Sequence, residues 1–256
     1  MLTLFCLRLA LGLLACLLLL SPAQVNPRFY RTQFLAALGL ALGALLLGWN
    51  LGTPWVRAIL IANVLGTGLG SLSWSLEGAP AGRIAIVVTA LGIMAALVLV
   101  QHEQVEQIQE PRSPSEFGWL LLADFISACL LGCAMTAMLM GHSYLIAPTM
   151  SLTPLLRLLT ALFVITVLRM ALSGVGLLLW SWSDDRNANL GDVAIWLPVR
   201  WVLGFLGPLV LGWMAWQSAK IRSTQSATGI LYVVVVLCLL GELTGQLLLA
   251  ETRYIC

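Results

Sequence analysis

Charge is scarce in this chain. Asp, Glu, Lys and Arg make up 9% of its 256 residues, where a soluble domain carries roughly 25%. So few charges cannot cover a water-exposed fold, which excludes an ordinary soluble domain. Lysine is reduced to one residue, Lys220, and the net charge is only +2. No basic cluster exists that would track a nucleic-acid backbone. Histidine is limited to His102 and His142. The six cysteines show neither a CxxC pair nor Cys/His ligand spacing, so no metal-ligating set is expected. There is no Gly-rich phosphate loop and no nucleophile–base arrangement, so no catalytic residue is assigned and an enzyme acting by itself is not expected. Strand-like alternation is missing too, which excludes a membrane barrel.

What remains is apolar. The chain is 60% hydrophobic with a mean hydropathy of +0.98. About 20 apolar residues cross the hydrocarbon core as a helix, and eight segments qualify: 2–20, 32–50, 56–75, 82–101, 118–144, 154–181, 193–216 and 227–250. Turn formers separate them, as in "SPAQVNPR", "EGAP" and "SDDRNANLGD". The predicted fold is an all-α integral membrane protein of eight transmembrane helices in two four-helix halves. Residues 1–101 form a packing half, 102–117 an outer acidic loop and 118–256 a half with buried polar groups. The first segment has no positive charge before Arg8, and its apolar run is longer than a signal core. It is expected to be a retained helix.

Loop charges set the expected orientation. Arg28, Arg31, Arg83, Arg157, Lys220 and Arg222 fall in loops after odd-numbered helices, with Glu77 the one acid there. The other side holds Arg57, Arg112, Arg186 and Arg253 among eight acidic residues. Basic loops favour the cytoplasm, so both termini are expected outside, in a cell inner membrane.

The first half packs through small residues. Gly39 and Gly43, and Gly66 and Gly70, are four apart, a spacing that lets helices approach closely. Asn63, Thr67 and Ser71 run beside the second pair and are candidates to line a polar cleft.

The second half carries charge inside its apolar runs: Asp124, Arg169, Arg200 and Glu242. Each costs roughly 2.5–3.5 kcal/mol or more at mid-membrane unless paired. At 1.5 Å per residue, Asp124 and Arg200 lie roughly 8–11 Å in from the outer side, and Arg169 and Glu242 roughly 20–25 Å from the inner side. Similar depth on four helices predicts a polar network, with Gln246 one turn beyond Glu242 on the same face. Such a network could fix helix packing or carry protons. Gly204, Pro208 and Gly212 follow Arg200 at four-residue steps and predict a kink there.

His142 and Tyr144 make a second candidate site near the inner end of the fifth helix. They read as interfacial anchors or as hydrogen-bonding partners for a quinone carbonyl. One histidine in a predicted span cannot supply a bis-histidine haem.

The stretch "LLGELTGQLLL" at 239–249 resembles the last helix of membrane anchor subunits of the dimethyl-sulfoxide reductase and polysulfide reductase kind. In that family a Gly-Glu-x-x-Gly stretch is usually followed by arginine. Gly241, Glu242 and Gly245 match, and Gln246 stands in the arginine position. The resemblance implies eight helices with outward termini, exchange of electrons with quinone, no covalently bound cofactor, and peripheral redox subunits as partners beside the lipid bilayer. The other functional readings are a small-solute or ion transporter using the same charged cluster and a ligand-free scaffold.

Overall fold

The computed structural model describes residues 2–49, 53–76, 81–107, 114–146, 150–182 and 195–252. All regular structure among them is helical: α1 (Leu2–Leu17), α2 (Pro27–Gly48), α3 (Pro54–Ser73), α4 (Gly82–Gln107), α5 (Pro114–Ile146), α6 (Thr153–Ser181), α7 (Ile195–Lys220) and α8 (Thr224–Thr252). Seven of these, α2 to α8, are long and apolar enough to cross a membrane. The first does not reach that length. It has 16 residues where the sequence predicted a span over 2–20, because the chain turns at Leu18–Leu20 instead of continuing the helix. The protein is thus an all-helical, multi-pass membrane architecture with seven candidate crossings and one shorter apolar helix.

Local chemistry fixes the helix starts. Asn26 caps α2 by accepting the Arg28 N–H at 2.9 Å, with Pro27 at the first helical position. Thr53 precedes Pro54 at the start of α3. Its N–H and hydroxyl both donate to Glu103 Oε1, at 2.8 and 2.6 Å, so a carboxylate from α4 sits at that helix N-terminus.

By packing, the chain forms two compact units, Met1–Gly132 and Cys133–Cys256, with the divide inside α5. The centre of the predicted acidic loop, 108–113, lies outside the described residues. In the first unit, α1 packs against α2 and α4, α2 against α3, and α3 against α4. α1 is apolar apart from Thr3 and Arg8, and it is buried nearly all round. Its Gly12 meets Gly132 of α5 so closely that a side-chain carbon on Gly12 would lie 1.8 Å from the Ala128 carbonyl oxygen. The polar seam of α3 is packed instead of forming a cleft. Asn63 is buried and donates to the carbonyls of Ile59 and Gly92, and Thr67 donates back to the Asn63 carbonyl. The outward faces of α3 and α4 carry large exposed apolar side chains, such as Leu65, Leu69 and Leu72 on α3 and Ile84, Val88 and Leu91 on α4, as a lipid-facing surface requires.

The second unit packs α8 against α7, and α6 against α7. α7 is not a uniform α-helix. Val199–Leu206 is a π-helical stretch of eight residues, with the Gly207 N–H reaching the Val202 carbonyl five residues back. Proline explains much of this. Pro208 has no N–H to give the Gly204 carbonyl, so the α-helical pattern cannot close there. The predicted kink at this place takes the form of a widened turn.

Candidate functional site

The widened turn of α7 places Arg200 in the interior of the second unit, where its side chain is fully buried. Gly204, one turn on, meets Gly241 of α8 backbone to backbone. A side-chain carbon on Gly241 would come within 2.4 Å of the Gly204 Cα. This close crossing brings α8 near enough for the Gly241 carbonyl to accept Arg200 Nη1 at 2.5 Å. Gly245 completes the seat, since a side-chain carbon there would lie 2.9 Å from the Arg200 guanidinium carbon. The glycines of "GELTG" are therefore steric requirements of an arginine arriving from another helix.

Glu242 stands between those glycines and is about 1% exposed. Two arginines meet it. Arg200 Nη1 donates to Oε1 at 3.0 Å. Arg169, from the middle of α6, donates through Nε to Oε1 at 3.2 Å and through Nη2 to Oε2 at 3.3 Å. The second contact is two-pronged and matches the planar fork of guanidinium to a carboxylate. Arg200 also donates to the Ser173 hydroxyl at 3.5 Å and lies 4.5 Å from the Phe205 ring centroid. The acid is tolerated in an apolar unit because two cations and oriented hydrogen bonds surround it.

Two donors of the cluster are sealed from solvent and have no partner among the described residues: Arg169 Nη1 and Gln246 Nε2. Gln246 is buried one turn beyond Glu242. Thr166 and Ser173 flank Arg169 and are buried too, and Thr166 donates to the Leu162 carbonyl at 2.7 Å.

Asp124 belongs to the first unit. Its Oδ1 accepts Arg8 Nη2 from α1, a close charge-assisted bond between two side chains each about 5% exposed or less. The sequence placed Asp124 with the arginines of later helices. Arg8 was read there only as a feature of the first segment. Its signal was available, because it is a cation inside an otherwise apolar run, like Arg169.

His142 and Tyr144 are not brought together. They are two residues apart on α5, which turns their side chains to different sides. Tyr144 is fully buried, and its hydroxyl donates to the Ser151 carbonyl at 2.5 Å, tying the end of α5 to the approach to α6. His142 is exposed. Among the described residues no cluster of His, Cys, Asp or Glu could hold a metal ion.

No protein-family model, curated protein or solved structure matches the chain.

Proposed function

We propose that the protein is a multi-pass anchor subunit of a respiratory-type complex in the inner membrane, and that its α6–α7–α8 cluster contacts a quinone headgroup. The observation that carries this reading is the pair of sealed donors, Arg169 Nη1 and Gln246 Nε2, beside Glu242. An unpaired buried donor costs about 1–3 kcal/mol, and a quinone carbonyl is an uncharged acceptor that can enter an apolar unit. On reduction its oxygens gain negative charge, which a guanidinium stabilises more than an amide does. Glu242 would hold both guanidinium groups in place. The resemblance of residues 239–249 to quinone-linked anchor subunits points the same way, with Gln246 supplying an amide donor where that family carries a cation. Peripheral redox subunits would be the source or sink of electrons.

Purification from native membranes in mild detergent tests the reading. Redox subunits should co-elute, and organic extraction should recover quinone. Gln246→Leu should lower quinone-linked turnover by about tenfold, the loss of one hydrogen bond in a dry site, and Arg169→Met, which also removes the two-pronged contact to Glu242, should lower it further. Co-purification of neither redox subunit nor quinone would overturn it.

The orientation proposed with it puts both termini outside, which requires the short α1 to cross along with the seven longer helices. A cysteine at Ser223 should be protected from an impermeant thiol reagent in intact cells, and its labelling from outside would reverse the topology.

The π-helical stretch of α7 favours one rival, a transporter of small solutes or ions that uses the same cluster, because interrupted helices commonly frame such binding sites. Solute uptake by proteoliposomes holding this chain alone would select it.

A further inference from the structure

The cluster of the second unit comes to the lipid-facing surface at one seam, between α6 and the π stretch of α7. Trp201 follows Arg200 in that stretch and is half-buried. Its indole Nε1 is nonetheless sealed and has no hydrogen-bond partner among the described residues. The open part of the ring is therefore not its N–H edge. Two contacts tie this ring to the cluster. On α7 it meets Phe205 edge to face, with centroids 5.6 Å apart, and Phe205 is the ring beside the Arg200 guanidinium. On α6, its Cη2 would be the nearest contact from another helix for a side-chain carbon at Gly174, at 3.7 Å. Gly174 follows Ser173, whose buried hydroxyl accepts from Arg200.

Both helices pass from buried to exposed at this seam. On α6, Arg169 and Ser173 are buried, Gly174 is half-buried, and Val175 and Leu178 are 42% and 56% exposed. On α7, Arg200 and Phe205 are buried and Trp201 is half-buried. Leu206, five residues beyond Trp201 and so one π-helical turn along the same side, is 52% exposed. The seam is also loosely filled. α6 packs against α7 chiefly along Gly207–Lys220, beyond the π stretch. A side-chain carbon at Gly204, Gly241 or Gly245 would come within 2.4–2.9 Å of a neighbour, whereas one at Gly174 would sit at ordinary contact distance. Close packing demands the first three glycines and does not demand Gly174.

We infer that the seam at Gly174 and Trp201 is where the apolar tail of the bound ligand leaves the cluster for the lipid. Trp201 Nε1 donates to a headgroup oxygen, in addition to the donors of Arg169 and Gln246. The inference rests on the quinone reading, which supplies the headgroup; it adds the place of the tail and a further donor. A tailed amphiphile suits the seam because the polar side chains lie inward of it, while Val175, Leu178 and Leu206 lie outward. A polar solute would have to cross hydrocarbon to use the same opening.

Turnover of the assembled complex tests it with two quinones, one carrying a long isoprenoid tail and one with the same headgroup and no tail. Gly174→Leu fills the seam. It should raise the KM for the tailed quinone about tenfold, the scale of an overpacked contact, and leave the KM for the tail-less one unchanged. Gly174→Ala, whose added carbon fits, should show the same selectivity at smaller size and serves if Gly174→Leu does not fold. Trp201→Phe keeps a ring at the seam and removes the donor, so it should raise both KM values about tenfold. An equal rise for both quinones in the glycine variant, or a rise for neither, overturns the tail passage while wild-type turnover leaves the quinone reading standing. Unchanged KM values in Trp201→Phe overturn the further donor. Absence of quinone turnover in the wild-type complex overturns the quinone reading and the passage together.

Discussion

The two units bury carboxylates in different ways. In the first, Asp124 meets Arg8 beside a glycine crossing, Gly12 on Gly132, that locks α1 against α5. In the second, Glu242 meets two arginines beside a glycine crossing, Gly204 on Gly241, and there one of the crossing helices is widened into a π stretch. Both use glycine to bring backbones close enough for a charged side chain to reach across. Only the second distorts a helix to do so; sealed donors remain in both, Arg8 Nε in the first and Arg169 Nη1 and Gln246 Nε2 in the second. An ion pair that merely fixes packing needs no distorted helix. The π stretch is what sets the second cluster apart, and the ligand-facing role proposed for it, against a packing role for the first pair, draws on that difference.

The largest expected effect is at Glu242. Glu242→Gln leaves two buried arginines facing a neutral amide, and breaking a buried pair on one side typically costs about 3–5 kcal/mol. The detergent-solubilised variant should lose most of its folded population. Adding Arg169→Met or Arg200→Met should restore part of it, read as a thermal melting temperature. Strict additivity of the single changes would break the claim that these side chains act as one cluster.

Asp124→Asn should destabilise less, by about 3 kcal/mol, because one arginine is left instead of two. In the assembled complex it should leave quinone-linked turnover per folded molecule unchanged. A selective loss of turnover would erase the distinction between the units.

Next comes the crossing itself. Gly241→Ala adds a methyl group against the Gly204 backbone and should cost about 1–3 kcal/mol, as overpacking does. Turnover should also fall, since the shift displaces Glu242 from Arg200. A variant that melts as the wild type does would show that the two helices are not held this closely.

The smallest effect is expected at His142. An exposed side chain contributes within about 0.5 kcal/mol to stability, so His142→Ala should melt as the wild type does. Turnover separates its two roles: a drop would support a quinone contact at the end of α5, and no change would leave His142 an interfacial anchor.

Much was legible before the fold. Scarcity of charge and the length of the apolar runs determined a multi-pass helical membrane protein, because hydrocarbon admits only segments that satisfy their own backbone. Charges inside those runs identified Asp124, Arg169, Arg200 and Glu242 as residues needing partners, because isolated charge is costly there. Which partner each one takes was not legible. Pairing depends on which faces meet, and helix depth alone did not separate Arg8 on α1 from Arg169 on α6 as the neighbour of Asp124. The first segment likewise read as a span, and only its packing showed a short helix enclosed by its neighbours. Gly174 and Trp201 carry no pattern along the chain, since two helices must come together before the ring meets the glycine. The sequence set the chemistry that had to be satisfied; tertiary packing chose the partners, because contact between helices is decided by small residues and backbone approach, which spacing along one chain does not encode.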